Sequence, residues 1–207
     1  MRRLILSPHM DDESMGCGGL LAKHAPECTV VAVTDSGDVR REEFQRAMGI
    51  LGIESTVELG MRDGYVDQSV PELVGRFDEL CREFEPAELY LPFPSLHQDH
   101  IAVYEAGMRT ARLSMSPGHW SAPQVFVYDV AVYDVNMYPS DLRWNVFEPL
   151  TEEQAGLKAR ACEQYVSESP EGPHPISAIK QIAESVGKVR GLEFAEQYAL
   201  VRQVRPA

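Results

Sequence analysis

The first half of this 207-residue chain alternates short apolar runs with segments of helical periodicity, and this alternation restricts the fold more than any other feature. Each apolar run has the length and composition of a strand and precedes a segment whose apolar residues recur at helical spacing. The predicted strands span residues 4–7, 28–34, 56–59 and 87–91, and the predicted helices span residues 16–23, 40–51, 73–84 and 98–111. Repeated strand–helix units predict an α/β fold, Rossmann-like and three-layered, around a mostly parallel sheet.

The second half is patterned less regularly. Strands are predicted within residues 124–135 and at residues 146–147. Thr151 and Gln154 have the spacing of a capping box, which predicts a helix to about residue 165, and a further helix is predicted from residue 179 to about 191. Because no repeat or linker divides the chain, we expect one domain, residues 1–207, with a C-terminal elaboration.

Charge and cysteine usage exclude several classes of protein. A formal net charge of -13 and a pI near 4.9 argue against a nucleic-acid partner. No apolar stretch approaches the roughly 20 residues of a membrane helix, so we expect no membrane insertion. The four cysteines form no Cys-x-x-Cys pair and are interpreted as buried free thiols of a cytoplasmic protein. The sequence leaves open whether the chain forms a homo-oligomer.

Two clusters of histidines and carboxylates follow predicted strands. They comprise His9, Asp11 and Asp12 after the first strand, and His97, Asp99 and His100 after the fourth. In an open α/β sheet, ligands gather just beyond the carboxyl ends of the strands. Imidazole and carboxylate are ordinary zinc ligands, and a catalytic zinc keeps three protein ligands and an open position. His9, Asp12 and His100 are therefore the predicted ligands of one metal site.

The remaining carboxylate of the first cluster, Asp11, is predicted to take a proton from water that the metal acidifies. Each cluster has an alternative explanation when it is taken alone. Aspartates after a strand also cap helices, and His97 and His100 would also suit a helix N-terminus without a metal. Two such clusters beyond two strands of one sheet favour the metal site.

The motifs around these clusters resemble a known family. The pattern Pro-His-x-Asp-Asp-Glu-x-x-Gly-x-Gly-Gly at residues 8–19, with His-x-Asp-His at residues 97–100, resembles the LmbE/PIG-L family of metal-dependent N-deacetylases. The similarity continues at residues 34–37, 40–52 and 62–64 and, more weakly, at residues 158–167 and 193–195. The glycines at 16, 18 and 19 do not fit a nucleotide-binding loop and are interpreted as sites of close helix–sheet packing.

The resemblance implies hydrolysis of an N-acetyl group on an amino-sugar-containing small molecule. It implies zinc as the cofactor, although the same ligand types accommodate iron(II) or cobalt(II). By the resemblance, His9, Asp12 and His100 hold the metal, Asp11 is the general base, and His97 stabilises the oxyanion or protonates the leaving amine.

The resemblance also assigns supporting residues. Asp99 would orient a metal-bound histidine, and Arg40 and Asp63 would approach sugar hydroxyls, although Arg40 has an alternative partner in Glu43 on its own helix.

The chain departs from the family pattern at three places. It has Met10 where proline is usual, Tyr165 where a histidine is frequent, and Ser167-Glu168 in place of Ser-Gln. The last two leave the C-terminal contribution to the site, and the substrate, open. Two other functions remain: a metal-dependent hydrolase of a non-sugar amide or ester, and a non-catalytic sugar-binding module. Asp11, Asp12 and His100 argue against the second, since a degenerate site would lose its base or a ligand.

Overall fold

The computed structural model describes residues 1–130, 139–168 and 175–205. Within these residues a seven-stranded sheet carries helices on both faces. The strands are β1 (Arg3–Ser7), β2 (Cys28–Asp35), β3 (Ser55–Arg62), β4 (Glu88–Pro92), β5 (Gln124–Tyr128), β6 (Trp144–Leu150) and β7 (Phe194–Gln203). The helices are α1 (Asp12–His24), α2 (Gly37–Leu51), α3 (Val70–Phe84), α4 (Gln98–Thr110), α5 (Glu152–Cys162) and α6 (Ile179–Lys188).

The sheet has the strand order β3-β2-β1-β4-β5-β7-β6. Strands β1 to β5 are parallel, whereas β7 pairs antiparallel with both β5 and β6. The parallel part therefore has a doubly wound order, and the direction of winding reverses between β1 and β4. This arrangement confirms the predicted Rossmann-like α/β fold with a mostly parallel sheet.

The central strands are apolar on both faces because helices cover both sides of the sheet. Ile5 packs with residues of α1, α2 and α5, while its neighbours Leu4 and Leu6 pack with residues of α3 and α4. All three side chains are fully buried. A run without polar alternation is what a parallel strand between two helical layers requires.

Helix α1 packs closely on the sheet through Gly16 and Gly19, as the sequence predicts, whereas the third predicted glycine, Gly18, packs against Lys158 of α5 and not against the sheet. A Cβ atom at Gly16 would lie 2.2 Å from Cδ2 of the Tyr128 ring, and one at Gly19 would lie 2.3 Å from Leu150. Any larger residue at these positions would push the helix outward. The glycines thus hold the N-terminus of α1 close to the carboxyl end of β1.

Several boundaries differ from the sequence-based expectation. Helix α1 begins four residues earlier than expected, directly after the His9 turn, and β3 continues to Arg62. The capping box of Thr151 and Gln154 is confirmed, although α5 ends at Cys162. Strand β7 is not predicted from the sequence at all. Of the strands expected within residues 124–135, β5 ends at Tyr128, and residues 131–135 lie outside the described part.

The four cysteines are buried and free, as predicted. No helix in the described ranges is long and apolar enough to cross a membrane.

Candidate metal centre and active site

The turn between β1 and α1 presents the first cluster. The His9 backbone N–H donates to Asp12 Oδ2 at 3.0 Å, and the Ser7 hydroxyl donates to the His9 carbonyl at 2.6 Å. These bonds place the His9 and Asp12 side chains on the same side of the turn. Asp11 occupies the N-cap position of α1, but its side chain makes no capping hydrogen bond. Helix capping therefore does not explain the Asp11 carboxylate.

The loop between β4 and α4 presents the second cluster. His97 is the N-cap of α4, and its Nδ1 accepts a hydrogen bond from the Asp99 backbone N–H at 3.2 Å. His100 lies in the first turn of α4 and is completely buried. Strands β1 and β4 are neighbours, so the two clusters meet at the point where the winding of the sheet reverses. His97 accordingly serves as a helix cap and also faces the site.

Three side chains bring their ligand atoms to the corners of a small triangle. His9 Nδ1 lies 3.2 Å from Asp12 Oδ2 and 3.3 Å from His100 Nε2, and the third edge, from His100 Nε2 to Asp12 Oδ2, is 3.2 Å. Ligand atoms of a tetrahedral zinc, each about 2.0 Å from the ion, are about 3.3 Å apart. The triangle therefore has the dimensions of one face of a zinc coordination sphere.

Asp12 provides a second test of whether a metal fits. Its Oδ1 atom is buried and has no hydrogen-bond partner within the described part of the chain. The two other atoms in this condition belong to Asp129 and Arg202, neither of which lines the site. A buried carboxylate oxygen without a donor is costly unless a cation neutralises it. The residues present thus fit a divalent metal.

In each histidine of the triangle, His9 and His100, the ring nitrogen that is not a corner of the triangle (the outer nitrogen) contacts a buried group that orients the ring. His9 Nε2 lies 3.4 Å from Asp99 Oδ2, and His100 Nδ1 lies 3.2 Å from the Ser95 hydroxyl. Asp99 is itself fixed by the backbone N–H groups of Gly64, at 2.7 Å, and Val66, at 3.0 Å. Outer hydrogen bonds of this kind hold a metal-binding imidazole in one tautomer and orientation.

The electrostatics of the triangle favour positive charge. Although burial opposes the charged imidazole, hydrogen bonds to Asp12, Asp63 and Asp99 raise the pKa of His9 to about 12. Burial also opposes ionisation of Asp12, but His100 and His9 lower the pKa of that carboxyl far below its usual range. The carboxylates thus stabilise a cation here, and a metal ion would take the place of the His9 proton.

Asp11 lies beside the triangle in a different environment. Burial raises its pKa to about 7, the neighbouring Asp12 contributes to this rise, and the Arg40 guanidinium opposes it. Arg40 Nη1 donates to Asp11 Oδ2 at 3.0 Å. The alternative partner of Arg40 is also present, because its Nε lies 3.5 Å from Glu43 Oε2. Burial and the nearby His9 and His100 lower the pKa of His97, which favours its neutral form.

These side chains face an open cavity of about 400 Å³. It is lined by His9, Asp11, Ser36, Val39, Arg40, Asp63, His97, Ser167 and Glu168. Asp63 is half-exposed, and its Oδ1 lies 3.4 Å from His9 Nε2, so it competes with Asp99 for the outer nitrogen of His9. Five of the eight site residues predicted from the sequence thus line the cavity, and the other three, Asp12, Asp99 and His100, are fully buried and contact His9.

Several residues that support the site are not predicted from the sequence. Ser95 contacts His100, and its position two residues before His97 is the only signal that pointed to it. Glu13 is fully buried: its Oε2 accepts the Asp11 backbone N–H at 3.1 Å, and its Oε1 accepts the Tyr165 hydroxyl at 2.7 Å. Glu168 pairs with Arg40. Tyr165 and Glu168 show that the segment after α5 does contribute to the site.

Comparisons with known proteins show similarity across the whole fold. The chain is 26% identical to the uncharacterized deacetylase YaiS of Escherichia coli K12 over 179 residues, which cover 79% of this chain and 90% of that protein. Among solved structures, the conserved protein TT1542 of Thermus thermophilus superposes with a TM-score of 0.80 at 23% identity, covering 100% of this chain and 97% of that one.

Two further structures share the fold and differ in their named activities. N,N'-diacetylchitobiose deacetylase of Pyrococcus horikoshii has a TM-score of 0.72 at 18% identity, covering 97% of this chain and 83% of that one. GalB, the 4-carboxy-2-hydroxymuconate hydratase of Pseudomonas putida KT2440, has a TM-score of 0.70 at 17% identity, covering 100% and 99%. At such identities these similarities establish the fold alone.

The family assignment comes from the sequence. The family model for GlcNAc-PI de-N-acetylase (PIG-L) matches residues 4–111, which contain both histidine–carboxylate clusters and more than half of the chain. The chain belongs to the PIG-L family.

Proposed function

We propose that this protein is a metal-dependent N-deacetylase that hydrolyses the acetamido group of an N-acetylated amino sugar. The observation that supports the proposal most is the triangle of His9, Asp12 and His100 beside the Asp11 carboxylate, with His9 and Asp11 lining the cavity. Family membership and the deacetylase name of the relative YaiS support the reaction class.

His9 Nδ1, Asp12 and His100 Nε2 would hold the metal. A bound zinc, or iron(II) or cobalt(II) in its place, would acidify water and polarise the acetamide carbonyl. Asp11 would be the general base, because it lines the cavity next to the ligands without being one of them. Arg40 orients the base by donating to its Oδ2, which leaves Oδ1 to accept the proton of the attacking water.

His97 would assist on the other side of the carbonyl. Because its Nδ1 accepts the Asp99 N–H, its ring proton resides on Nε2, which can donate to the developing oxyanion. The water oxygen forms the new bond to the carbonyl carbon, the carbon–nitrogen bond breaks, and the proton held by Asp11 passes to the leaving amine. The products are acetate and the free amino sugar.

The direct test measures acetate release from a panel of N-acetylglucosamine derivatives with metal-quantified protein. We expect turnover in proportion to bound metal, a loss of at least about 100-fold after chelation, and recovery on adding zinc, iron(II) or cobalt(II). N-acetylated amino acids serve as the non-sugar control. A metal-loaded protein that releases no acetate from any amino sugar, or a metal-free protein of full activity, would contradict the proposal.

Hydration is the second candidate, because a protein named as a hydratase, GalB, has the same fold. A hydratase also needs activated water and a base, but it releases no amine. The substrate in that protein's name carries a carboxy group, whereas the cavity here is lined by Asp11, Asp63 and Glu168 and offers little to an anion. Acetate release therefore separates the two candidates.

A further inference from the structure

Glu168 occupies a fixed position at the wall of the cavity. It ends the short turn Val166–Glu168 that follows α5, and its side chain is 58% exposed. The preceding residue anchors this turn, because the Ser167 N–H and hydroxyl donate to the two carboxylate oxygens of Glu43 at 2.9 and 2.6 Å. A carboxylate is therefore presented to whatever enters the cavity.

The one guanidinium of the cavity is already committed to protein acceptors. Arg40 is the only lysine or arginine among the described residues that line the cavity, and its side chain is 7% exposed. Nη1 donates to Asp11 Oδ2 and to the Met10 carbonyl, Nε faces Glu43, and Nη2 pairs with Glu168. A phosphate or carboxylate on a substrate would have to displace one of these partners.

The charges around the cavity are predominantly negative. The carboxylates that line it or contact its lining are Asp11, Asp12, Glu13, Glu43, Asp63, Asp99 and Glu168. Against these seven stand Arg40 and, in the loaded protein, the two charges of a divalent metal. The excess of negative charge persists after metal binding, so the cavity attracts cations and repels anions.

We propose that Glu168 determines substrate specificity by charge. It favours amino sugars that carry an ammonium group next to the reacting N-acetylglucosamine, such as partly de-N-acetylated oligosaccharides, and disfavours those that carry a carboxylate or phosphate there. This inference rests on the proposed deacetylase function. Glu168 would contact the neighbouring sugar and leave the reacting acetamide to Asp11 and His97.

A purely structural role for Glu168 predicts a different result. If Glu168 only held Arg40 in place, its loss would misplace Asp11 and slow every substrate to the same extent. Glu168→Gln separates the two roles, because the amide oxygen still accepts from Arg40 while the charge is removed. Glu163→Gln is the matched control, since Glu163 is an exposed carboxylate just after α5 that does not line the cavity.

The experiment uses three disaccharides with the same non-reducing N-acetylglucosamine and a second sugar that is glucosamine, glucose or glucuronic acid. Acetate release by the metal-loaded protein gives kcat/KM for each, at a pH where the glucosamine amine is protonated. We expect the order cationic, neutral, anionic in the wild type. Glu168→Gln should shrink the cationic-to-anionic ratio by roughly 3- to 10-fold, and high salt should shrink the wild-type ratio.

The outcomes are distinguishable. Unchanged ratios in Glu168→Gln, or an equal loss on all three substrates, would overturn the specificity role while leaving deacetylation intact. A comparable shift in Glu163→Gln would overturn it as well, because general surface charge would then be the cause. If the wild type releases acetate from none of the three, this inference fails, and the panel of N-acetylglucosamine derivatives decides separately whether the proposed function fails as well.

Discussion

Two buried carboxylates at helix α1, those of Glu196 and Asp12, differ in how completely they are hydrogen-bonded. In the middle of the helix, Glu196 accepts four hydrogen bonds, from the Gly19 and Leu20 backbone N–H groups, the Lys158 ammonium at 2.6 Å and the Tyr198 hydroxyl. At the start of the helix, Asp12 gathers all its contacts on Oδ2, and its buried Oδ1 has none in the described part of the chain.

The difference separates a carboxylate that serves the fold from one whose surroundings suit a metal ion. A buried charge that serves the fold is fully paired, because each unmet hydrogen bond would cost free energy. The group around Glu196 satisfies this condition with protein donors alone. The group around Asp12 does not, and two histidines facing the same oxygen indicate that a cation completes it.

The largest effect is expected when a proposed metal ligand near Asp12 is removed. We expect His100→Ala to lower activity by more than about 100-fold and to reduce bound metal, because two ligand atoms hold a divalent ion poorly. Acetate release and elemental analysis measure both effects. His24→Ala, which alters a histidine outside the cavity, should leave both unchanged. Normal metal content in His100→Ala would rule out His100 as a ligand.

Removing a partner of the fully paired Glu196 carboxylate should instead lower the stability of the fold. Lys158→Met leaves Glu196 buried without its ammonium partner, and we expect the free energy of unfolding to fall by about 3 to 5 kcal/mol. Urea unfolding measures the loss, and metal content should stay normal. The exposed pair of Lys188 and Glu184 provides the control, since Lys188→Met should unfold at nearly the wild-type midpoint. Equal midpoints for Lys158→Met and the wild type would contradict the structural assignment.

A substitution of Ser95 tests whether metal binding depends on the hydrogen bond between Ser95 and His100. Ser95→Ala removes the acceptor for His100 Nδ1, and we expect the metal affinity to fall by roughly 10- to 100-fold. Competition with a chromophoric chelator measures the affinity. An unchanged affinity would show that packing of the buried ring is sufficient to orient it.

The smallest effects are expected when a single hydroxyl group is removed from one of two buried tyrosines. Tyr165 donates to Glu13 on the metal side, and Tyr198 donates to Glu196 on the structural side. Phenylalanine at either position should lower the free energy of unfolding by about 1 to 2 kcal/mol. Only Tyr165→Phe should also reduce kcat, because Glu13 holds the Asp11 backbone N–H. An equal loss of kcat in both variants would show that Glu13 supports the reaction no more than Glu196 does.

Much of the candidate metal site, the clusters of His9 and His97, could be predicted from the sequence. Short apolar runs place the clusters of His9 and His97 at the ends of strands, and the parallel sheet then brings those ends together. The pattern within each cluster is local, so the candidate ligands can be chosen without coordinates. What the pattern could not give is the pairing of each histidine, since Ser95 and the loop at Gly64 become partners only in the folded chain.

The buried polar groups that stabilise the fold could not be predicted in the same way. Strand β7 escapes the sequence analysis because Glu196, Gln197 and Arg202 interrupt its apolar pattern. Glu196 is tolerated there because distant groups donate to it, among them the Lys158 ammonium, 38 residues earlier, and the Gly19 and Leu20 N–H groups. Similarly, Glu13 and Tyr165 are 152 residues apart, and neither carries a local sign of the other. Long-range pairs of buried polar groups depend on packing that periodicity does not encode.

In the proposed function, two adjacent aspartates have different roles: Asp12 would hold the metal and Asp11 would act on water. The most direct measurement compares bound metal and acetate release in Asp11→Asn and Asp12→Asn side by side. We expect Asp11→Asn to keep its metal and lose about 100-fold or more in kcat, and Asp12→Asn to lose both. Metal loss in Asp11→Asn, or full activity in either variant, would contradict these separate roles of Asp11 and Asp12.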